Sequence, residues 1–222
     1  VLWSSFEQEG HGNAKHLCAT LACLNFKVHS DELHEFQYEL TRPEYDEAYQ
    51  ALKHLLRNEQ QMVSLFNNSY RVFVQAQITH DYMLAVQKAI TSRLLNEEGS
   101  SRWYRFVFDY AFTVGNYEYI LRHINKEFVD VALTRLRPRN EIFENTQLAI
   151  ETAMKNESLV ELARLGPLKY RTNERFEHLD NSTLAEALLH LGRKEEVVHF
   201  FFDSETNEQL VSDDAILDFI NA

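Results

Sequence analysis

The chain has 222 residues and a formal net charge of −12, with 45% apolar, 25% charged and 12% aromatic residues, a share ample for a packed core and too apolar for disorder. Six Gly and three Pro leave few breakers, which excludes an all-β or Rossmann-type chain and predicts helices. The negative balance disfavours a nucleic-acid or anionic-membrane surface, both of which need a dense basic patch, and no 18-residue apolar run is present, so no membrane insertion is expected.

In chain order, Asn13 to Val28 is predicted as a helix, with Ala14, Leu17, Cys18, Leu21, Leu24 and Val28 at three- and four-residue spacing. A short helix over Asp31 to Leu40 follows, and Pro43 suits the first turn of the next, which carries Tyr45, Ala48, Leu52 and Leu55 inward and ends near Arg57-Asn58. Glu59 to Gln77 places Met62, Val63, Leu65, Phe66, Tyr70, Phe73 and Val74 over a wide arc, the pattern of a helix buried between neighbours. Asp81 to Leu95 is another helix, and Asn96 to Ser101 is the clearest loop. Beyond it, Arg102 to Val114 is strongly aromatic, with Trp103, Phe106, Val107 and Tyr110 as its inner stripe. Tyr117 to Asn125 and Lys126 to Leu136 form one helix or two, and Asn140 to Met154 is a fresh one. Ser158 to Leu165 is short, because Gly166-Pro167 should stop it, and Lys169 to Asp180 is only weakly periodic. Leu184 to Leu191 and Lys194 to Phe202 are predicted as a helical hairpin, and Asp213 to Ala222 as a capped amphipathic helix.

A polar or turn-forming pair precedes an amphipathic run at Pro43, His80, Asn116, Asn156 and Arg193, with spacings of 37, 36, 40 and 37 residues. A period near 37 is one helix-turn-helix unit, so the expected fold is all-α: a right-handed array of helical hairpins, an α-solenoid. The whole of 1–222 is then one repeat domain, with a possible sub-boundary near 96–101 and a distinct C-terminal segment over 167–222. The start at Val1-Leu-Trp-Ser points to a piece of a longer chain.

Catalytic motifs are scarce. There is no Gly-rich phosphate loop, no Gly-x-Ser-x-Gly, no His-Glu-x-x-His and no Cys-x-x-Cys. Cys18 and Cys23 lie about 140° apart on a helix, which suits packed thiols in a reducing compartment better than a shared metal. Arg135-Leu-Arg-Pro-Arg139 is a short basic cluster, read as a helix C-terminus complementing its dipole. Acidic pairs such as Glu97-Glu98 and Glu195-Glu196 sit at loops and helix starts, as solvated or capping groups.

Two resemblances bear on function. His54, His80, Asp81 and either Asp109 or Asp130 resemble in order the ligands of all-helical HD-type metal-dependent phosphohydrolases, which would make them a metal centre activating water. Against it, His80-Asp81 occupies the recurring turn position, where an acidic residue complements a helix N-terminus. Separately, the near-37 period, the mixed helix lengths, and the run from Arg102 to Glu118 followed by a helix pair and Leu159 to Pro167 resemble the irregular α-solenoids of nuclear-pore Y-complex and vesicle-coat scaffolds, over residues 100 to 180. That resemblance implies a non-catalytic scaffold with no cofactor, bound to other protein subunits at the nuclear envelope or in the cytoplasm. The candidate partner-binding side chains are Phe200, Phe201 and Phe202, a run that one helix cannot turn into one core, and Ile216, Phe219 and Ile220 of the terminal helix.

Overall fold

Small apolar side chains on every side of one helix set up the first half of the molecule. The computed structural model describes residues 12–37, 40–59, 61–135, 137–177 and 181–202, together with 209 and 216. It is mostly helical, with one small antiparallel sheet, and divides into two compact units, Val1–Glu97 and Glu98–Ala222, inside the Asn96 to Ser101 loop.

In the first unit helix α1 (Gly12–Cys23) buries Ala14, His16, Leu17, Cys18, Ala19, Thr20, Leu21, Ala22 and Cys23. A helix apolar all round has to be enclosed. Its neighbours are α2 (Arg42–Leu52), α3 (Asn68–Gln77), α4 (His80–Leu95) and a β-strand. Polar ties fix the packing: the Gln75 side-chain amide donates to the Ala22 carbonyl at 2.8 Å, and His16 Nδ1 lies 2.5 Å from the Tyr82 hydroxyl. Thr41 and Glu44 form a capping box at the start of α2, with Pro43 in its first turn as expected.

Three expectations change here. The helix drawn to Val28 ends at Cys23, and Val28–His29 instead form strand β1. The helix over 31–40 contracts to a 3-10 turn at Leu33–Phe36. The apolar arc from Met62 to Leu65 belongs to a β-hairpin of β2 (Leu56–Glu59) and β3 (Met62–Leu65), closed at Gln61 with φ 69, and Phe66 lies just past it, exposed. Registers Leu56↔Leu65, Asn58↔Val63 and Val28↔Val63 give the strand order β1-β3-β2. Val63 and Leu65 are buried while Met62 and Ser64 are less so, a period of two.

The second unit consists of α5 (Ser101–Thr113), α6 (Tyr117–His123), α7 (Lys126–Thr134), α8 (Arg139–Lys155), α9 (Leu159–Glu177), α10 (Asn181–His190) and α11 (Lys194–Phe201). Helix α8 packs against α5, α6 and α9, and the Asn145 amide donates to the Tyr104 carbonyl at 2.7 Å. The helix expected to stop at Gly166-Pro167 instead continues through the weakly periodic stretch beyond it as the single helix α9, with Leu165 and Thr172 buried on either side of the proline. Pro167 removes one helical N–H, and packing against α8 carries the helix through. Helices α10 and α11 close a smaller core of Ala185, Leu188, Val197 and Phe201.

Candidate interaction surface

Three turns of the second unit share one hydrogen-bond pattern. Gly115, Glu157 and Gly192 have φ of 77, 52 and 74, and the next residue's N–H reaches back to Ala111, Ala153 and Leu188 at 2.7, 2.9 and 2.9 Å. The turn residues themselves donate to Phe112, Met154 and Leu189, which completes a Schellman C-cap in each case. These turns coincide with three of the recurring positions in the sequence. The recurring positions at Pro43 and His80 instead begin helices capped by Thr41 and Thr79.

The turn ending α8 leaves large apolar side chains in water. Met154, Leu159 and Val160 are 61%, 80% and 79% exposed. Leu165, five residues beyond Val160, is fully buried and so sits about 140° around α9, which turns Val160 outward. Lys155 Nζ lies 5.0 Å from the Phe112 ring centroid and 4.8 Å from that of Tyr117, so the end of α8 is clamped beside the α5–α6 turn. Between the two turns is an open depression of about 460 Å³, lined by Glu118, Leu121, Arg122, Asn156, Ser158 and Glu161. An apolar group rimmed by charged and polar side chains is the usual form of a protein-binding surface.

A second feature of this unit is a cavity of about 530 Å³ walled by Trp103, Tyr104, His123 and Phe128, with Glu98, Arg122, Glu127 and Arg135 also lining it. Trp103 donates its indole N–H to the Tyr119 hydroxyl at 2.9 Å, and His123 stacks on Tyr119 with centroids 3.9 Å apart. His123 Nδ1 is 2.9 Å from the Tyr119 carbonyl, which in the neutral ring keeps the proton on Nδ1. Burial pushes the Tyr119 hydroxyl up to about 12, although the bond from Trp103 opposes the shift. Burial likewise raises Tyr104 against the pull of Arg135 and Arg137. Among the described residues the lining has no serine, threonine, cysteine or lysine, and its character is that of a shaped aromatic wall.

The side chains singled out from the sequence fall differently. Phe201 is 5% exposed in the α10–α11 core, which removes it from any docking face; burial between two helices is what a buried member of an aromatic run requires. Phe202 is 37% exposed. Ile216 is half-buried against the same core, while the side chains of Phe200, Phe219 and Ile220 lie outside the described residues. His54 is exposed in the 3-10 turn Lys53–Leu55, and His80 and Asp81 are exposed in the first turn of α4. Asp130 belongs to the other unit, where Lys126 and Arg175 each hold one of its carboxylate oxygens. Among the described residues no three His, Cys, Asp or Glu groups are placed to share a metal ion. Also among them, no helix is long and apolar enough to cross a membrane. Met154, Leu159 and Val160 were not legible as surface, because three apolar residues near a helix junction read equally well as core.

Cys18 and Cys23 are buried thiols outside any disulfide, and burial pushes each up to about 11; the bond to Tyr70 and the charge of Arg71 oppose this only in part. At pH 8 their alkylation by iodoacetamide is expected to be at least about 100-fold slower in the folded protein than in urea, because so little thiolate is present. The folded values exceed the unfolded ones, so this contribution to stability is complete below about pH 8.5 and is lost as pH rises through 11. Urea melts across that window should show falling stability, and a Cys18→Ala, Cys23→Ala double variant should show a shallower fall. Equal slopes would refute the assignment.

Comparison with family models, with curated proteins and with solved structures gave no match for this chain.

Proposed function

We propose that the chain is a non-catalytic interaction module, an adaptor or scaffold piece that binds other protein subunits within a larger assembly. The observation that carries this is the exposed apolar group Met154, Leu159 and Val160 beside a rim of charged side chains. A stack of helical hairpins is the finer reading of the second unit. It is supported by the Schellman turns at Gly115, Glu157 and Gly192 and by the packing of α8 on α5, α6 and α9. The resemblance in layout to nuclear-pore and coat solenoids covers two of these turns, and it is the basis for proposing a structural place of that kind. Two buried thiols that form no disulfide fit a reducing compartment.

Affinity purification of the tagged chain from its native extract tests the reading, with Leu159→Asp, Val160→Asp run in parallel. Both positions are largely exposed, so the double variant should keep its circular dichroism spectrum and melting midpoint. The expected result is one or more protein partners near stoichiometry with the parent chain and their loss with the variant. A parent chain that elutes alone, or a folded variant that keeps every partner, would overturn it.

A further inference from the structure

Helices α7 and α9 enclose a groove of about 380 Å³ whose charge is opposite to that of the chain. Helix α9 lines it with Arg164, Leu168, Arg171 and Arg175, one stripe at helical spacing, together with Pro167; α7 contributes Lys126, Val129 and Asp130. Four cations therefore face one carboxylate in a protein of net charge −12.

The four cations are not equivalent. Arg164 is structural: its guanidinium donates to the carbonyls of Leu121 and Ile124 at 2.7 Å each, and to Glu161 at 2.7 Å, which caps the end of α6. Lys126 and Arg175 converge on Asp130 from both sides, with Arg175 at 2.6 Å from Oδ1, and hold that carboxyl below its usual range. Arg171 is exposed and makes no hydrogen bond or ion pair among the described residues, although it stands one turn before Arg175 on the same face. Two like charges one turn apart repel, and an anion placed between them relieves that repulsion. Beside them Pro167 and Leu168 supply apolar surface, while Val129 is buried at the wall.

We propose that this groove binds a small organic anion with a short apolar body. Its carboxylate or phosphate group would take paired N–H donors from Arg171 and the free edge of Arg175, the geometry that guanidinium groups match best. Its hydrocarbon part would cover Pro167 and Leu168. A volume of this size and an apolar floor with few convergent polar groups are the common features of small-ligand sites. The proposal is independent of the interaction surface at Leu159 and Val160.

Calorimetric titration of the full chain at low ionic strength provides the test, with octanoate and octyl phosphate as probes, octanol and octylamine as controls, and poly-glutamate as a macromolecular anion. Saturable binding of octanoate or octyl phosphate, without octanol or octylamine, is expected. Arg171→Gln should weaken it about tenfold or more, while Lys88→Gln, an exposed cation of the other unit, should leave it unchanged. Because Arg171 is exposed and makes no bond among the described residues, its variant should melt at the parent temperature, which separates lost binding from lost fold. No saturable binding, equal binding of octanol, an Arg171→Gln affinity equal to that of Lys88→Gln, or a response to poly-glutamate alone would each overturn the proposal.

Discussion

Replacing Glu141 with glutamine is expected to destabilise the second unit by about 3–5 kcal/mol, the range found when one member of a buried ion pair is removed. The Arg137 and Glu141 side chains are 8% and 6% exposed, and the contact is bidentate: Arg137 Nη2 lies 2.8 Å from each carboxylate oxygen, with Nε at 3.0 Å from Oε2. Arg137 also donates to the Ser101 hydroxyl at 2.6 Å and lies 5.6 Å over the Tyr104 ring, so the pair joins the start of α8 to the start of α5. The glutamine variant leaves a guanidinium charge in that dry site with a neutral acceptor. A charge taken from water without a counter-charge is what costs free energy. The paired replacement Arg137→Met, Glu141→Leu should recover most of the loss, because it removes both charges at similar volume. Urea melts of the parent, the single variant and the double variant decide this. A single-variant loss below about 1 kcal/mol would place the pair with solvent-screened surface bridges.

That ion pair also marks a limit of reading the chain alone. Arg135-Leu-Arg-Pro-Arg139 reads as a helix C-terminus complementing its dipole, and Arg135 does cap the end of α7, with Arg139 exposed. Arg137 is buried only because Ser101, 36 residues away, and Glu141 converge on it, and local sequence carries no record of that meeting. The aromatic helix α5 was legible for the opposite reason. Trp103, Val107 and Tyr110 repeat at helical spacing, and Ser100 accepts from the Trp103 N–H at 3.0 Å as a cap should, although Phe106 of the expected stripe is only half-buried and Phe108, outside that stripe, is fully buried.

Where short apolar runs fit both periods, the helix expectation failed. Met62, Val63 and Leu65 satisfy a wide helical arc as well as a half-buried strand, and pairing with Val28 to His29 and with Leu56 to Glu59 selects the strand. Pro167 shows the converse. Its local preference is to end a helix, but burial of Leu165 and Thr172 on both sides of it overrides that preference. The candidate surface was less legible than the fold. Exposure depends on which apolar residues find neighbours, and in the α10–α11 core Phe201 found them, whereas Leu159 and Val160 did not.

Truncating Phe108 should be as damaging as unpairing Arg137. The ring is fully buried at the centre of an aromatic group, with centroids 5.1 Å from Trp103, 5.4 Å from Phe128 and 6.1 Å from Tyr119. The first two contacts are edge-to-face, at 66° and 87°, the arrangement that adds to plain burial. Phe108→Ala removes all three contacts and leaves a void that Trp103 cannot fill without giving up its bond to the Tyr119 hydroxyl, so about 3–5 kcal/mol is expected. Phe108→Leu keeps most of the volume and should cost less than half as much. At Phe202, which is 37% exposed, truncation to Ala should cost less than half as much as Phe108→Ala. The same Phe108→Ala chain should lose the defined wall of the 530 Å³ cavity, since Trp103 and Phe128 both line it and both lean on this ring. Equal urea midpoints for Phe108→Ala and Phe202→Ala would show that the aromatic group does not hold the second unit together.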